Sequence, residues 1–156
     1  MSIEVIKTDS KNSEFLELIN LLDENLNEIN GQEQKQYDIH NKVNYITDVI
    51  VFYKDHIPVA CGAIKELNSN TAELKRIFVR KENRRQGLAK LILSRLEELL
   101  QEKGYTNAVL ETGRKQTEAI GLYQSTGYSV IANYGPYEGK VNSVCMRKEF
   151  HAAVLN

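Results

Sequence analysis

Apolar positions recur along this chain with two different periods, and an element ends wherever the period changes. Ile3 to Lys7 is short and rich in β-branched residues, which predicts a first strand. From Ser13 the spacing turns helical: Phe15, Leu18, Ile19, Leu22, Leu26 and Ile29 share one face, and Gly31 stops the run. Gln32 to Asn44 is polar and reads either as a second short helix or as a loop. Asp48 to Tyr53 and Pro58 to Glu66 flank Lys54-Asp55-His56, the pattern of a hairpin. A turn over Leu67 to Asn70 leads into a strand from Thr71 to Val79. Leu88, Leu91, Ile92, Leu96, Leu99 and Leu100 form the stripe of a long helix, stopped at Lys103 and Gly104. Asn107 to Thr112 is a strand, and Thr117 to Ser125 a short helix closed by Thr126 and Gly127. Tyr128 to Ala132 and Ser143 to Phe150 are the last strands. The order β, α, (α), β, β, β, α, β, α, β, β predicts an α/β fold, a mixed sheet flanked by helices.

Composition narrows the function without naming it. At 156 residues and 42% hydrophobic, the chain fits a single domain over residues 1–156 with a real core. A net charge of -1 argues against nucleic acid as a general partner, so any cationic patch must be local. Cys61 and Cys145 are far apart and offer no metal-ligand spacing, which suits reduced core thiols; no metal is expected. The N-terminal residues show no basic stretch followed by an apolar one, so no signal peptide is expected. No apolar run approaches the roughly 20 residues of a membrane span. The expectation is a soluble, cytoplasmic protein with no membrane partner. His40, His56 and His151 fall in polar or turn segments and read as surface residues.

One segment does not fit a plain surface. Arg84-Arg85-Gln86-Gly87-Leu88-Ala89 sets two cations at the mouth of the long helix, where unpaired N–H groups and the positive dipole end favour anions. Small residues at Gly87 and Ala89 let an anion approach the main chain. On these residues alone, solvated surface arginines are an equal reading. Neither a GxxxxGK[ST] loop nor a GxGxxG fingerprint is present.

The hexapeptide fills each specified position of [QR]xxGx[GA] and resembles the coenzyme-binding motif of the Gcn5-related N-acetyltransferases (GNAT). The resemblance extends through Glu73 to Val79 before the loop. After it come Leu110-Glu111-Thr112, Gln116, Ala119 to Tyr123 and Gly127-Tyr128. It covers Thr71 to Phe150, about half the chain. It implies the GNAT fold, a mixed, mostly antiparallel sheet of six to seven strands flanked by about four helices. It also implies acetyl-CoA as cosubstrate. Arg84, Arg85, Gln86, Gly87, Leu88 and Ala89 would hold the diphosphate, main-chain groups of Phe78 and Val79 the pantetheine arm, and Gln116 another part of the cofactor. Arg114 and Lys115 either face a 3′-phosphate or are solvated.

Acetyl transfer to an amine needs a neutral nucleophile and a protonated leaving thiol. Only about one lysine-like amine in two thousand is neutral at pH 7, so a nearby base helps. Glu73 is the candidate, because the family often carries a catalytic glutamate near this point; the alternatives are substrate binding or simple exposure. Plain alternation puts Glu73 on one face with Lys75, Ile77 and Val79 unless a bulge intervenes. Tyr123 corresponds to a tyrosine that meets the coenzyme sulfur in many members, where it would protonate or hydrogen-bond the thiolate; the alternative is core packing. An oxyanion would meet a main-chain N–H near Val79.

The acceptor is read as a small-molecule amine. The loop Asn133 to Lys140 either walls its site or packs its tyrosines down, and Asp23, Glu24, Glu28, Glu33 and Asp38 either draw an amine in or are solvated. A non-catalytic coenzyme sensor, another nucleotide module, a larger acyl group and a protein amine stay open at this stage. Family members are often dimers, so a homodimer is possible here.

Overall fold

The computed structural model describes residues 3–30 and 45–150, with side chains from 27 to 30 left aside. The elements in chain order are β1 (Ile3–Thr8), α1 (Ser13–Asn30), β2 (Asp48–Lys54), β3 (Ile57–Asn68), β4 (Thr71–Val79), α2 (Leu88–Glu102), β5 (Asn107–Gly113), α3 (Thr117–Ser125), β6 (Ser129–Ile131) and β7 (Ser143–Glu149). Three α-helices are therefore present among the described residues. The segment Gln32 to Asn44, where a further helix was one reading, lies outside them, as do His40, His151, Glu33 and Asp38.

The strands form one sheet in the order β1-β2-β3-β4-β5-β7-β6. Every neighbouring pair is antiparallel except β4 with β5. The crossover through α2 is what makes that pair parallel. On one face α1 buries Phe15, Leu18, Ile19 and Leu22 against Val51, Cys61 and Phe78. The other face carries α2, with Ile92, Leu96 and Leu100 packed on Phe52, Ala60 and Leu74, and α3 brings Tyr123 to the same cluster.

The crossing of α2 over β3 depends on one residue without a side chain. A Cβ at Gly62 would lie 2.8 Å from both Ile92 Cγ2 and Leu96 Cδ1. Both side chains are fully buried and have little room to move. Gly62→Ala is expected to cost about 1–3 kcal/mol and lower Tm by roughly 3–10 °C in a thermal melt.

Two irregularities in β4 shape everything that follows. Between Cys61↔Phe78 and Ala63↔Lys75 the ladder advances two residues on β3 but three on β4, which defines a bulge. Arg76 sits in it at φ 58, a conformation most residues avoid. Its guanidinium bonds Asp23 on α1 at 3.1 Å, with both side chains largely buried, and that ion pair ties the bulge to the helix. The bulge corrects the simple alternation. Phe78 joins the α1 face with Glu73 and Lys75, while Ile77 and Val79 turn to the α2 face.

The second irregularity is a split. β4 and β5 pair only at Thr71↔Asn107, Ala72↔Ala108 and Glu73↔Val109, and then diverge. Past Glu73, the β5 side of β4 is an open edge in the middle of the sheet.

Candidate active site

The split opens into a pocket lined by Glu73, Lys75 and Arg76 from β4, Glu111 from β5, and Gln116 and Tyr123 from α3. Leu22 and Leu26 of α1 close it on one side. This brings both expected catalytic residues, Glu73 and Tyr123, into one cavity, with Gln116 beside them.

Glu73 is buried, and both of its oxygens are engaged. Oε2 accepts a hydrogen bond from the Tyr134 hydroxyl at 2.7 Å, and Oε1 lies 3.6 Å from Lys75 Nζ. Burial lowers the Lys75 pKa, and the Glu73 charge partly offsets that. The loop that carries Tyr134 packs its rings edge to face with Tyr137, centroids 5.6 Å apart, over Cys145. The tyrosines of this loop pack down on Cys145, and Tyr137 also lines the pocket. Asp23 is neither a solvated acid nor a lure for amines, because Arg76 holds it.

Glu111 was not foreseen as a site residue. It stands on β5 opposite Cys145 of β7, and its Oε2 accepts a hydrogen bond from Ser143 Oγ at 2.8 Å. Burial raises its pKa to about 7, against the lowering effects of Ser143 and Lys75. The signal lay in the sequence: a carboxylate directly after the apolar run Ala108-Val109-Leu110 and still within the strand, on the face opposite Leu110.

Tyr123 is 8% exposed and packs edge-on to Tyr128, centroids 5.9 Å apart. Burial first, and then the Glu111 charge, push its phenol up to about 12. Among the described residues its hydroxyl has no hydrogen-bond partner. Gln116 stands at the N-cap of α3, and its carbonyl accepts the Ile120 N–H, leaving the side chain uncommitted to the helix.

The other end of the open edge meets the arginine loop. The Arg80 N–H bonds the Val59 carbonyl at 2.8 Å, flanking the Ala60↔Val79 pair. That spacing marks a pair whose own main-chain groups point outward, so Val79 presents its N–H and carbonyl to the split. By the same alternation Phe78 spends its main chain on β3, against the expectation that it would share this task. Arg84 folds back: Nε donates to the Val79 carbonyl at 3.1 Å and the guanidinium lies 5.8 Å from the Phe78 ring centroid.

Arg85 takes φ 63 and is exposed, with no ion pair among the described residues. Gln86 accepts from Lys54 Nζ at 3.4 Å. Gly87 starts α2 as its N-cap at φ 81 and ψ 7, with no side-chain cap, so the N–H groups of Leu88 and Ala89 at the helix mouth are free for an anion. The Leu88 side chain is buried beneath them. Among the described residues no group of three or more His, Cys, Asp or Glu could hold a metal ion, and no helix is long and apolar enough to cross a membrane.

Comparison with known proteins agrees with this geometry. A family model described as the acetyltransferase (GNAT) family matches residues 15–128. YyaT of Bacillus subtilis, an uncharacterized protein, is 34% identical over 117 residues, which is 75% of this chain and 76% of that one. YsnE of the same organism, an uncharacterized N-acetyltransferase, is 34% identical over 91 residues, 57% of this chain and 60% of that one. A GNAT-family acetyltransferase structure from Staphylococcus aureus has a TM-score of 0.75 at 20% identity and covers 96% of this chain and 100% of its own. A GNAT-family structure from Elizabethkingia anophelis with acetyl-CoA bound gives 0.67 at 15% identity, covering 95% and 98%. These two structures speak for the fold, and the match over 15–128 speaks for descent: the chain belongs to the GNAT acetyltransferase family.

Proposed function

We propose that the chain works as one catalytic domain that moves the acetyl group of acetyl-CoA to a primary amine of a small molecule or amino acid, by direct attack with both bound. The observation that carries this reading is the split between β4 and β5, which joins an anion-ready helix mouth at one end to a pocket of buried ionisable groups at the other. A coenzyme of this kind needs free N–H donors for its diphosphate and an open strand edge for its arm. Both are present, at Gly87 to Ala89 and at Val79.

Bound there, acetyl-CoA supplies a thioester already activated toward nitrogen. The main chain of Val79 orients the arm, and Arg85 with Gln86 adds charge and polarity at the diphosphate. Arg84 contributes by holding the Val79 carbonyl and covering Phe78, and Gln116 meets the cofactor from α3. Tyr123 donates a hydrogen bond to the departing sulfur. Glu73 faces the acceptor amine. The Val79 N–H is the donor available to a developing oxyanion. The reduced, buried Cys61 and Cys145 suit a cytoplasmic setting.

The acceptor side is read as fitting a small molecule, because Leu22, Leu26 and Tyr137 line the pocket together with the buried ionisable groups. The test is thiol release from acetyl-CoA with a panel of amines, amino acids, polyamines, aminoglycosides and lysine peptides. Release with a small amine or amino acid above that with peptides is expected. Tight coenzyme binding without release for any amine would favour a sensor, and no coenzyme binding would end the reading.

A further inference from the structure

The pocket lining carries two carboxylates, Glu73 and Glu111, with Lys75 and Arg76 beside them on β4 and Arg114 and Lys115 after β5. Lys75 Nζ lies 3.6 Å from Glu73 Oε1, and the charge of Glu111 acts on it as well. The two acids are not equivalent. Glu73 has one oxygen on a phenol and the other beside Lys75. Glu111 has one oxygen on Ser143, and its Oε1 accepts no hydrogen bond among the described residues. It is also the acid whose charge acts on Tyr123, the residue at the other side of the reaction.

We propose that Glu111, and not Glu73, takes the proton from the acceptor amine, with Ser143 and Lys75 as the residues that position and charge it. This rests on the acetyltransfer reading above. The acceptor arrives as an ammonium ion, the form of an ordinary amine at neutral pH. The free oxygen of Glu111 accepts one proton. The nitrogen lone pair then bonds the thioester carbonyl carbon and the carbon–sulfur bond breaks. One remaining amine proton ends on sulfur, and Glu111 returns its own to solvent.

Burial sets the working range of this group near pH 7, where a base is half ionised and most useful. The groups around it act in known directions. From β4, Lys75 favours the carboxylate and Glu73 opposes it. From β7, Ser143 favours the carboxylate through its hydrogen bond, while Cys145 stays a neutral thiol, pushed up to about 11 mainly by burial. From the loop, burial raises the Tyr137 pKa, so its phenol stays neutral, as does Tyr123 from α3. Arg76 is committed to Asp23.

The sign follows. A base works only when ionised, so activity should fall as pH drops through the carboxyl pKa. Removing Lys75 or Ser143 raises that pKa and moves the fall to higher pH. The experiment measures kcat/KM for the fastest acceptor of the panel against pH from about 5.5 to 9, with acetyl-CoA saturating, since this ratio reports the groups as they titrate before the acceptor binds. Wild type should show an acid limb with a midpoint near 7. Glu111→Gln should lose about 10²-fold in that ratio at pH 7.5 and lose the limb, with KM for acetyl-CoA within about twofold. Lys75→Met and Ser143→Ala should keep the limb but shift it upward by at least half a pH unit, a readout that a merely structural role would not move. Glu73→Gln should keep the limb.

A limb that survives in Glu111→Gln, or that disappears in Glu73→Gln, overturns the proposal and leaves the transferase reading standing. If Glu111→Gln misfolds by melting, the limb shifts in Lys75→Met and Ser143→Ala decide: no shift in either overturns it. Wild type that releases thiol with no amine removes both readings together.

Discussion

Tyr123→Phe lowers kcat by about 10- to 150-fold and leaves both KM for acetyl-CoA and Tm almost unchanged. The stability half of this result follows from packing. Phenylalanine keeps the ring that sits edge-on to Tyr128 in the core, and the lost hydroxyl has no hydrogen-bond partner among the described residues. The catalytic half follows from the phenol's acidity. Its pKa, raised to about 12 by burial and the Glu111 charge, keeps it protonated at every working pH. Handing the proton over completely to a thiolate with pKa near 8.5 would be uphill by roughly 5 kcal/mol. A hydrogen bond to the departing sulfur costs nothing of that kind, and bonds to charged groups contribute about 1.5–3 kcal/mol. That range converts to the fold-loss stated. Steady-state kinetics on the two proteins checks it. A loss below twofold would make Tyr123 a packing residue and place the sulfur elsewhere.

The parts legible in the sequence are those written as periodicity. The stripe from Leu88 to Leu100 and the continuous apolar runs of β2 and β3, bounded by turn residues, give the layers and nearly all the strands. The hexapeptide at Arg84 to Ala89 marks the helix mouth because its function lies in main-chain geometry, which needs Gly87 and small neighbours. What periodicity cannot carry is an extra residue. The bulge at Arg76 has no glycine to announce it; the αL conformation is held by an ion pair to Asp23, 53 residues away in the chain. One such residue reversed the faces of Ile77, Phe78 and Val79 and so changed which main chain meets the split. Glu111 was passed over for a related reason. A carboxylate in a strand reads as exposed until its neighbours are known, and those neighbours come from β4 and β7. The loop tyrosines show the same limit, since Tyr134 reaches Glu73 across 61 positions of sequence.

Gly87→Val tests the helix mouth, and it should raise KM for acetyl-CoA by tenfold or more while kcat at saturation changes little. A Cβ built at Gly87 meets no protein atom within 4 Å, so the new side chain does not strike the fold. It projects into the space in front of α2, where the anion would sit against the free N–H groups of Leu88 and Ala89. There is a separate cost, because φ 81 suits glycine and a β-branched residue there is strained by about 1–2 kcal/mol. That strain lowers Tm by a few degrees and does not by itself alter substrate affinity. Gly87→Ala separates the two effects: it carries most of the backbone strain but less of the bulk, so its Tm should fall nearly as far and its KM should rise less. Arg85→Ala should also raise KM, by a smaller factor that shrinks as salt increases, since an exposed cation acts through a screened field. If Gly87→Val lowers Tm as expected yet binds acetyl-CoA normally, the phosphates are not held at this helix, and the open edge at Val79 alone would have to account for binding. The ordering of the three KM values therefore distinguishes contact with the main chain from attraction by charge.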